Sequence, residues 1–245
     1  MQRRSFIKKT GITGLALTLA PSITLAQSQE EEYSLVELMG KSTIDLYGDG
    51  YQLRKEAHEA FVAMKRAAYS SGIDLKIVSS YRSFDRQQVI FERKFQKYSD
   101  EGMAPIDAIN KIIEYSTIPG TSRHHWGTDI DVIDGYRKVD GDVLVPSKYG
   151  EGQPFADFKK WMDENSEKFG FYLVYTDTPK RRGFKYEPWH YSYAPLSIPM
   201  LETYRSKNIM QIYKKEDFLG SEYFTSGFLR TYITDNILDI NPKLL

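Results

Sequence analysis

Cysteine is absent from this 245-residue chain, and histidine is scarce, at four residues. Without cysteine there is no disulfide and no site for lipid attachment. A membrane span is also missing: the mild apolar run "GITGLALTLA" carries Gly11 and Gly14 and stops before Pro21, whereas crossing about 30 Å of hydrocarbon takes ~20 residues. Basic and acidic residues balance, 33 against 33, so no surplus of positive charge is left to hold a phosphate backbone. The chain is long enough to bury a sizeable core, in one domain of roughly 150–200 residues with additions. Tyrosine is plentiful, at 18 residues, which suits a ligand groove and equally an ordinary core.

The first 26 residues read as an address. "MQRRSFIKK" pairs Arg3 with Arg4, the apolar run follows, and Thr24 and Ala26 place small residues before a cleavage point. This stretch resembles a twin-arginine export signal, which implies a mature protein in the periplasm with no lasting membrane span. Loss of Arg3, Arg4, Lys8 and Lys9 with no acid would leave the mature chain net negative, a further argument against nucleic acid as partner. Residues 27–48, opened by "QSQEEE", read as a polar linker. Residues 49–197 read as one folded domain, and 198–245 as an extension packed on it through apolar pairs such as Phe218-Leu219 and Phe228-Leu229.

Leu53, Ala57, Phe61, Met64 and Ala68 recur at spacings of three and four, one face of a helix over about residues 52–70. His58, beside that stripe, reads as a surface or satisfied core histidine. "DLKIVSS" alternates as a short strand and delivers "SYRSFDRQQ" at its end, ahead of a helix to about Tyr98 and another over about 105–115. "TDIDVID" alternates as a strand, Asp140-Gly141 marks a hairpin turn, and "FADFKKWMDENSEKFG" predicts a helix stopped by Gly170. "FYLVY" and the region of "GFKYEPWHYSY" read as further strands. The sum is an α+β fold, a small antiparallel sheet with flanking helices.

Two of the four histidines stand side by side in "GTSRHHWGTDIDV", just ahead of two aspartates. A catalytic zinc takes three protein ligands from histidine and carboxylate and keeps one position for water. His124, Asp131 and His190 of "EPWH" can supply that set: Asp131 projects from a strand face, and a turn at Gly127 lets His124 fold back toward it. Glu187, three residues before His190, can reach the water as general base without ligating. A His-x(6)-Asp pair alone is a weak signal. Joined to Glu-x-x-His and to Tyr81-Arg82 at a strand end, it is a strong one.

"SRHHWGTDID" and "EPWH" resemble the Ser-x-His-x(6)-Asp and Glu-x-x-His motifs of the VanY-type D-alanyl-D-alanine carboxypeptidases, zinc peptidases related to the VanX-like dipeptidases and sharing a fold with the hedgehog signalling domain. The resemblance runs from about Leu53 to Pro195, through "SSYRSFDRQ" and "FKKWMDENSEKFGF". It implies a hedgehog/D,D-peptidase-like fold over 49–197, with zinc on His124, Asp131 and His190 and with Glu187 as base and proton shuttle. It further implies that Arg82 stabilises the oxyanion and the substrate carbonyl, and that Ser122, Tyr81 and Gln87 line the substrate site. The implied substrate is the D-Ala-D-Ala end of peptidoglycan stem peptides. Rival readings are dipeptidase or endopeptidase specificity within the same family, and a hedgehog-like zinc module without catalysis. Metal binding alone would require neither Glu187 nor Arg82, which speaks against the last.

The family commonly has alanine two residues before the ligand aspartate, where this chain has Asp129. Alternation puts Asp129 and Asp131 on one strand face. Spacing favours Asp131 as ligand, with Asp129 an acceptor that orients His125 or His124. His125 itself packs near Trp126 or lines the cleft. Lys180, Arg181 and Arg182 read either as an attractor of stem carboxylates or as a solvated loop, and "YRKVDGDVLVPSKYGEG" as a wall of the groove.

Overall fold

Residues 33–213 and 215–245 are described by the structure, a computed structural model. The expected leader therefore lies outside the described residues. Helix α1 (Leu35–Leu38) is capped by Ser34, whose hydroxyl accepts from the Glu37 amide at 3.2 Å. It corrects the linker reading of 27–48: Tyr33, Leu38 and Met39 are buried, and the Leu38 carbonyl accepts from the Trp126 indole at 3.1 Å. Polar composition up to Glu32 obscured an apolar segment that begins immediately after it.

Helix α2 (Lys55–Tyr69) buries the expected stripe of Ala57, Phe61, Met64 and Ala68. Strand β1 (Leu75–Ser79) leads into α3 (Phe84–Asp100), capped by Ser83, and then α4 (Pro105–Ile112). A 3-10 turn over Arg123–Trp126 precedes β2 (Asp129–Asp134). The hairpin expected at Asp140-Gly141 does not form; the chain makes an irregular excursion instead. There the Lys148 ammonium donates to the Asp140 and Asp142 carbonyls at 2.8 and 2.7 Å, fastening the turn without a second strand. Helix α5 (Ala156–Asn165) continues as a 3-10 turn that ends at Gly170, whose φ of 79° suits a residue without Cβ. Strands β3 (Phe171–Leu173) and β4 (His190–Tyr193) follow, both shorter than expected because the chain from 174 to 189 is irregular. The remainder is helical: α6 (Ala194–Ser206), α7 (Ile209–Tyr213) and α8 (Ser226–Tyr232).

The four strands form one antiparallel sheet in the order β1-β2-β4-β3. Alternation along β2 and β4 sorts its faces. Ile130, Val132 and Tyr191 point into a core shared with α2 and α5, while Asp129, Asp131, His190 and Ser192 point the other way. On that side a second core gathers α3, α4, α6 and α8. Phe91 of α3 packs edge-on against Phe218 and Phe224, so the C-terminal extension belongs to this core. No helix among the described residues is long and apolar enough to cross a membrane.

Leu38 is 1% exposed. If α1 is part of the folded unit, Leu38→Ala lowers unfolding stability by about 2–5 kcal/mol, as for a core leucine. Urea denaturation checks this; a change below about 0.5 kcal/mol, typical of surface sites, would return α1 to the linker.

Candidate metal centre and active site

Cross-strand register makes the first contact of the site. Asp131 of β2 pairs with His190 of β4 and Asp129 with Ser192, so four polar side chains meet on one sheet face. His124 arrives from the 3-10 turn, which is closed by Gly127 at φ 68°, a conformation that favours glycine. His124 Nε2 lies 3.4 Å from Asp131 Oδ2, His190 Nδ1 lies 3.9 Å from Asp131 Oδ1, and the donor atoms of all three residues fall within 4.8 Å of one another. Two ligands on a tetrahedral zinc with bonds of about 2.1 Å stand about 3.4 Å apart. The three residues therefore need little movement to hold such an ion. Asp131 Oδ1 is buried without a hydrogen bond, the state of an oxygen whose partner is a cation rather than a protein donor.

The charges agree with that fit. Burial holds the His124 imidazole below its usual pKa, against the pull of Asp131, so it stays neutral and able to ligate. Burial would raise Asp131, but His124, His190 and Arg82 hold it low and ionised. His190 is also desolvated, yet the carboxylates of Asp129 and Glu187 push it up to about 10. A site that attracts a proton this strongly between its carboxylates favours a positive charge at that point.

Asp129 is 0% exposed and answers the question raised by the departure from alanine. Its two oxygens accept from Arg123 Nε at 3.0 Å, Thr128 Oγ1 at 2.6 Å, Ser192 Oγ at 2.8 Å and His190 Nε2 at 3.1 Å. Burial alone would raise its pKa, but the Arg123 guanidinium and the His190 bond hold the carboxyl well below the usual range. A carboxylate has no proton to give, so His190 donates through Nε2 to Asp129 and through Nδ1 to Glu187 Oε2, and a metal at Nδ1 would take the place of that second proton. The expectation that Asp129 orients His124 or His125 is corrected: its histidine is His190, which the strand register brings across the sheet.

His125 has another task. Its Nε2 accepts from the Gly120 amide at 3.0 Å, which puts the ring proton on Nδ1, and Nδ1 donates to the Arg82 carbonyl at 2.5 Å. The Arg82 amide in turn donates to the His124 carbonyl at 3.1 Å. Burial lowers the His125 pKa to about 3, so the ring remains neutral. The Arg82 side chain is fixed as well, Nη1 on Gln87 Oε1 at 2.7 Å and Nη2 on Ser79 Oγ at 2.9 Å.

Glu187 is brought in by a turn in which the His190 amide donates to the Glu187 carbonyl at 3.1 Å. Its Oε2 sits 2.9 Å from His190 Nδ1, and burial raises its pKa against the opposing effect of His190. His124, Asp131, His190, Glu187, Arg82 and Ser122 all line one cavity of about 560 Å³. The excursion after β2 contributes Asp142, Leu144, Val145 and Pro146 to its wall, as the sequence suggested.

Tyr81 and Gln87 are not among the residues lining this cavity. Gln87 is 0% exposed and faces inward from α3, its amide donating to the Thr117 carbonyl at 2.7 Å and its oxygen accepting from Arg82. Tyr81 lies in neighbouring hollows with Gln52 and Ser80. The Lys180–Arg182 loop is engaged elsewhere: Arg181 donates to the carbonyls of Thr176, Phe184 and Asp239, and Arg182 pairs with Asp235 at 3.7 Å. His58 shares a hydrogen bond of 2.9 Å with the Tyr51 hydroxyl, away from the metal ligands. Besides Arg82 and Arg123, the cavity's cations come from α3, where Arg86, Arg93 and Lys94 occupy one face with Ile90. The spacing i, i+4, i+7, i+8 carried that signal in the sequence.

A family model described as VanY, D-alanyl-D-alanine carboxypeptidase, matches residues 50–196. A D-alanyl-D-alanine carboxypeptidase of Enterococcus faecalis is 31% identical over 130 residues, covering 52% of this chain and 43% of that one. The chain spans about half the length of the curated carboxypeptidases it matches. Among solved structures, the vancomycin-resistance D,D-pentapeptidase VanY of a VanB-type cassette in complex with Zn(II) aligns with a TM-score of 0.50 at 24% identity, over 68% of this chain and 86% of that one. VanYB in complex with D-alanine-D-alanine aligns with a TM-score of 0.51 at 23% identity, over 72% and 92%. Both are likenesses of fold.

Replacing Asp129 with asparagine removes the charge that fixes His190 and leaves Arg123 unpaired. Zinc affinity is expected to fall about 10–100-fold, the usual effect of losing such a partner, in a competition titration against a chromophoric chelator. His58→Ala serves as the control with unchanged affinity. Parental affinity in Asp129→Asn would end the positioning role.

Proposed function

Since this chain belongs to the VanY family of D-alanyl-D-alanine carboxypeptidases, we propose that it is an exported zinc peptidase that removes the terminal D-alanine from peptidoglycan stem peptides. The observation that carries the reading is the convergence of His124, Asp131, His190, Glu187 and Arg82 on one cavity. The Zn(II) bound by one fold neighbour and the D-alanine-D-alanine bound by another support the choice of metal and substrate.

His124 Nε2, His190 Nδ1 and an Asp131 oxygen would hold the ion. When bound, zinc supplies Lewis acidity and brings the pKa of water down to about 7. Glu187 Oε2 would be released from its hydrogen bond to His190 Nδ1 once that nitrogen ligates, and the freed carboxylate would accept the proton of the attacking water. Its raised pKa makes it a better base and a competent donor of that proton to the leaving amine. Arg82, clamped at backbone and side chain, presents a guanidinium where negative charge develops on the carbonyl oxygen, with no reorganisation needed at that moment. Burial lowers its pKa, yet a guanidinium remains charged at neutral pH. Ser122 Oγ, buried without a hydrogen bond on the cavity wall, is free to donate to the terminal carboxylate.

Glu187→Gln is expected to keep zinc and to lose about 10²–10⁴-fold in turnover, because the amide cannot take the proton. Release of D-alanine from an N-acylated peptide ending in D-Ala-D-Ala measures it, with metal content determined on the same sample. Turnover within about threefold of the parent would remove Glu187 from the chemistry. Export, on this reading, depends on Arg3 and Arg4. Lysine at both positions should hold the precursor in the cytoplasm on fractionation, and unimpaired processing would assign the general secretory route.

A further inference from the structure

The cationic face of α3 has no role in the chemistry above. Arg86, Ile90, Arg93 and Lys94 line the cavity, while Phe84, Gln87, Phe91 and Phe95 on the opposite face are buried. Lys94 is half-buried, and neither it nor Arg86 nor Arg93 has a hydrogen-bonded or ion-paired acid among the described residues. Local acids are engaged elsewhere: Glu92 accepts from Gln88 Nε2 at 3.0 Å and the Leu219 amide at 3.2 Å, and Asp142 accepts from the Leu144 amide at 2.9 Å. Deeper in, Asp129 is matched to Arg123, Asp131 belongs to the metal-binding group and Glu187 is bonded to His190. The helix face therefore brings three cations to the cavity with no acid in direct contact with any of them. Burial, Arg82 and Arg93 lower the Lys94 pKa, and the more distant Glu187 and Asp142 offset this only in part.

We propose that Arg86, Arg93 and Lys94 form a subsite for a second carboxylate of the peptide, carried by a residue upstream of the scissile bond. This rests on the peptidase reading and adds to it a substrate class: acyl peptides with an acidic group before the D-Ala-D-Ala end. The terminal carboxylate has Ser122 beside the metal cluster, so the helix face serves a different group. From Arg86 to Lys94 the face runs about 12 Å along the axis at 1.5 Å per residue. That matches three to four extended residues at about 3.3 Å each. A face of that length can meet a side chain upstream of the cleaved bond while the terminal carboxylate stays at Ser122. Val145 and Pro146, with Leu144, give the same cavity an apolar wall along which the peptide's carbon chain can lie.

The test uses two N-acylated tetrapeptides ending in D-Ala-D-Ala, identical except that the residue before this end bears a free carboxylate or its amide. With the zinc-loaded protein at low salt, kcat/KM for the acid should exceed that for the amide by about tenfold, the scale of one charge-assisted hydrogen bond. The preference should lie mainly in KM and shrink as salt rises. Lys94→Met should reduce it to about twofold or less, and Lys94→Arg should retain it, which a merely structural role would not produce. Equilibrium binding of both peptides to Glu187→Gln judges the subsite apart from the chemistry. Turnover of both peptides with equal kcat/KM, or a preference untouched in the Arg86, Arg93 and Lys94 triple methionine variant, overturns the subsite and leaves the peptidase reading standing. No turnover of either, with the acid still preferred in binding, retires the peptidase reading and keeps the subsite.

Discussion

The site depends on one buried carboxylate. Asp129, 0% exposed, takes four protein donors on its two oxygens. Alone in such a medium it would cost several kcal/mol and take up a proton. Arg123 makes it tolerable, and it makes Arg123 tolerable in return, since that guanidinium is almost as deeply buried. The pair then does what neither could do singly: it holds a proton on His190 Nε2 and turns Nδ1 toward the metal-binding residues. Asp129 is thus one end of a buried ion pair and the carboxylate behind His190.

The two adjacent histidines divide the work between side chain and backbone. His124 gives its ring to the metal cluster and its carbonyl to the Arg82 amide, while His125 gives its ring proton to the Arg82 carbonyl. Arg82 is thus held at both its backbone polar groups by the turn that carries a metal ligand. The distance between ligand set and guanidinium follows from backbone hydrogen bonds within a few residues, which are stiffer than long side chains. Preorganisation of this kind is what electrostatic stabilisation of a developing charge requires.

Much of this could be read from the chain because it is local. His124 and Asp131 lie on a turn and the strand it feeds, and Glu187 and His190 within a single turn, so their spacing reports their geometry. What could not be read depends on distant partners. Nothing near Asp129 in sequence names His190, 61 residues away, because strand register decides that pairing. Gln87 resembles a substrate ligand until the burial of its helix face is known, and Arg181 resembles one until the Asp239 carbonyl is found against it. Tyr33, Leu38 and Met39 were hidden by the acidic run before them. The basic stripe of α3 was legible in its spacing, but spacing alone does not tell a solvated face from a cavity wall.

The C-terminal extension, beyond the residues that the family model matches, completes the argument about placement. Three tyrosines from its helices end on the loop before the metal turn. Tyr204 donates to the Gly120 carbonyl at 2.9 Å, Tyr213 to the Pro119 carbonyl, and the Tyr232 hydroxyl accepts from the Ile118 amide at 3.1 Å. Thr121 gives its hydroxyl proton to the Ile118 carbonyl at 2.8 Å, so the bond between the Thr121 and Tyr232 hydroxyls has tyrosine as donor. Burial raises the pKa of all three phenols, which keeps their protons in place at neutral pH. The loop they hold supplies the Gly120 amide to His125, and through His125 to Arg82. A segment outside the metal-binding residues therefore fixes the loop from which His124 projects and the backbone on which Arg82 is carried.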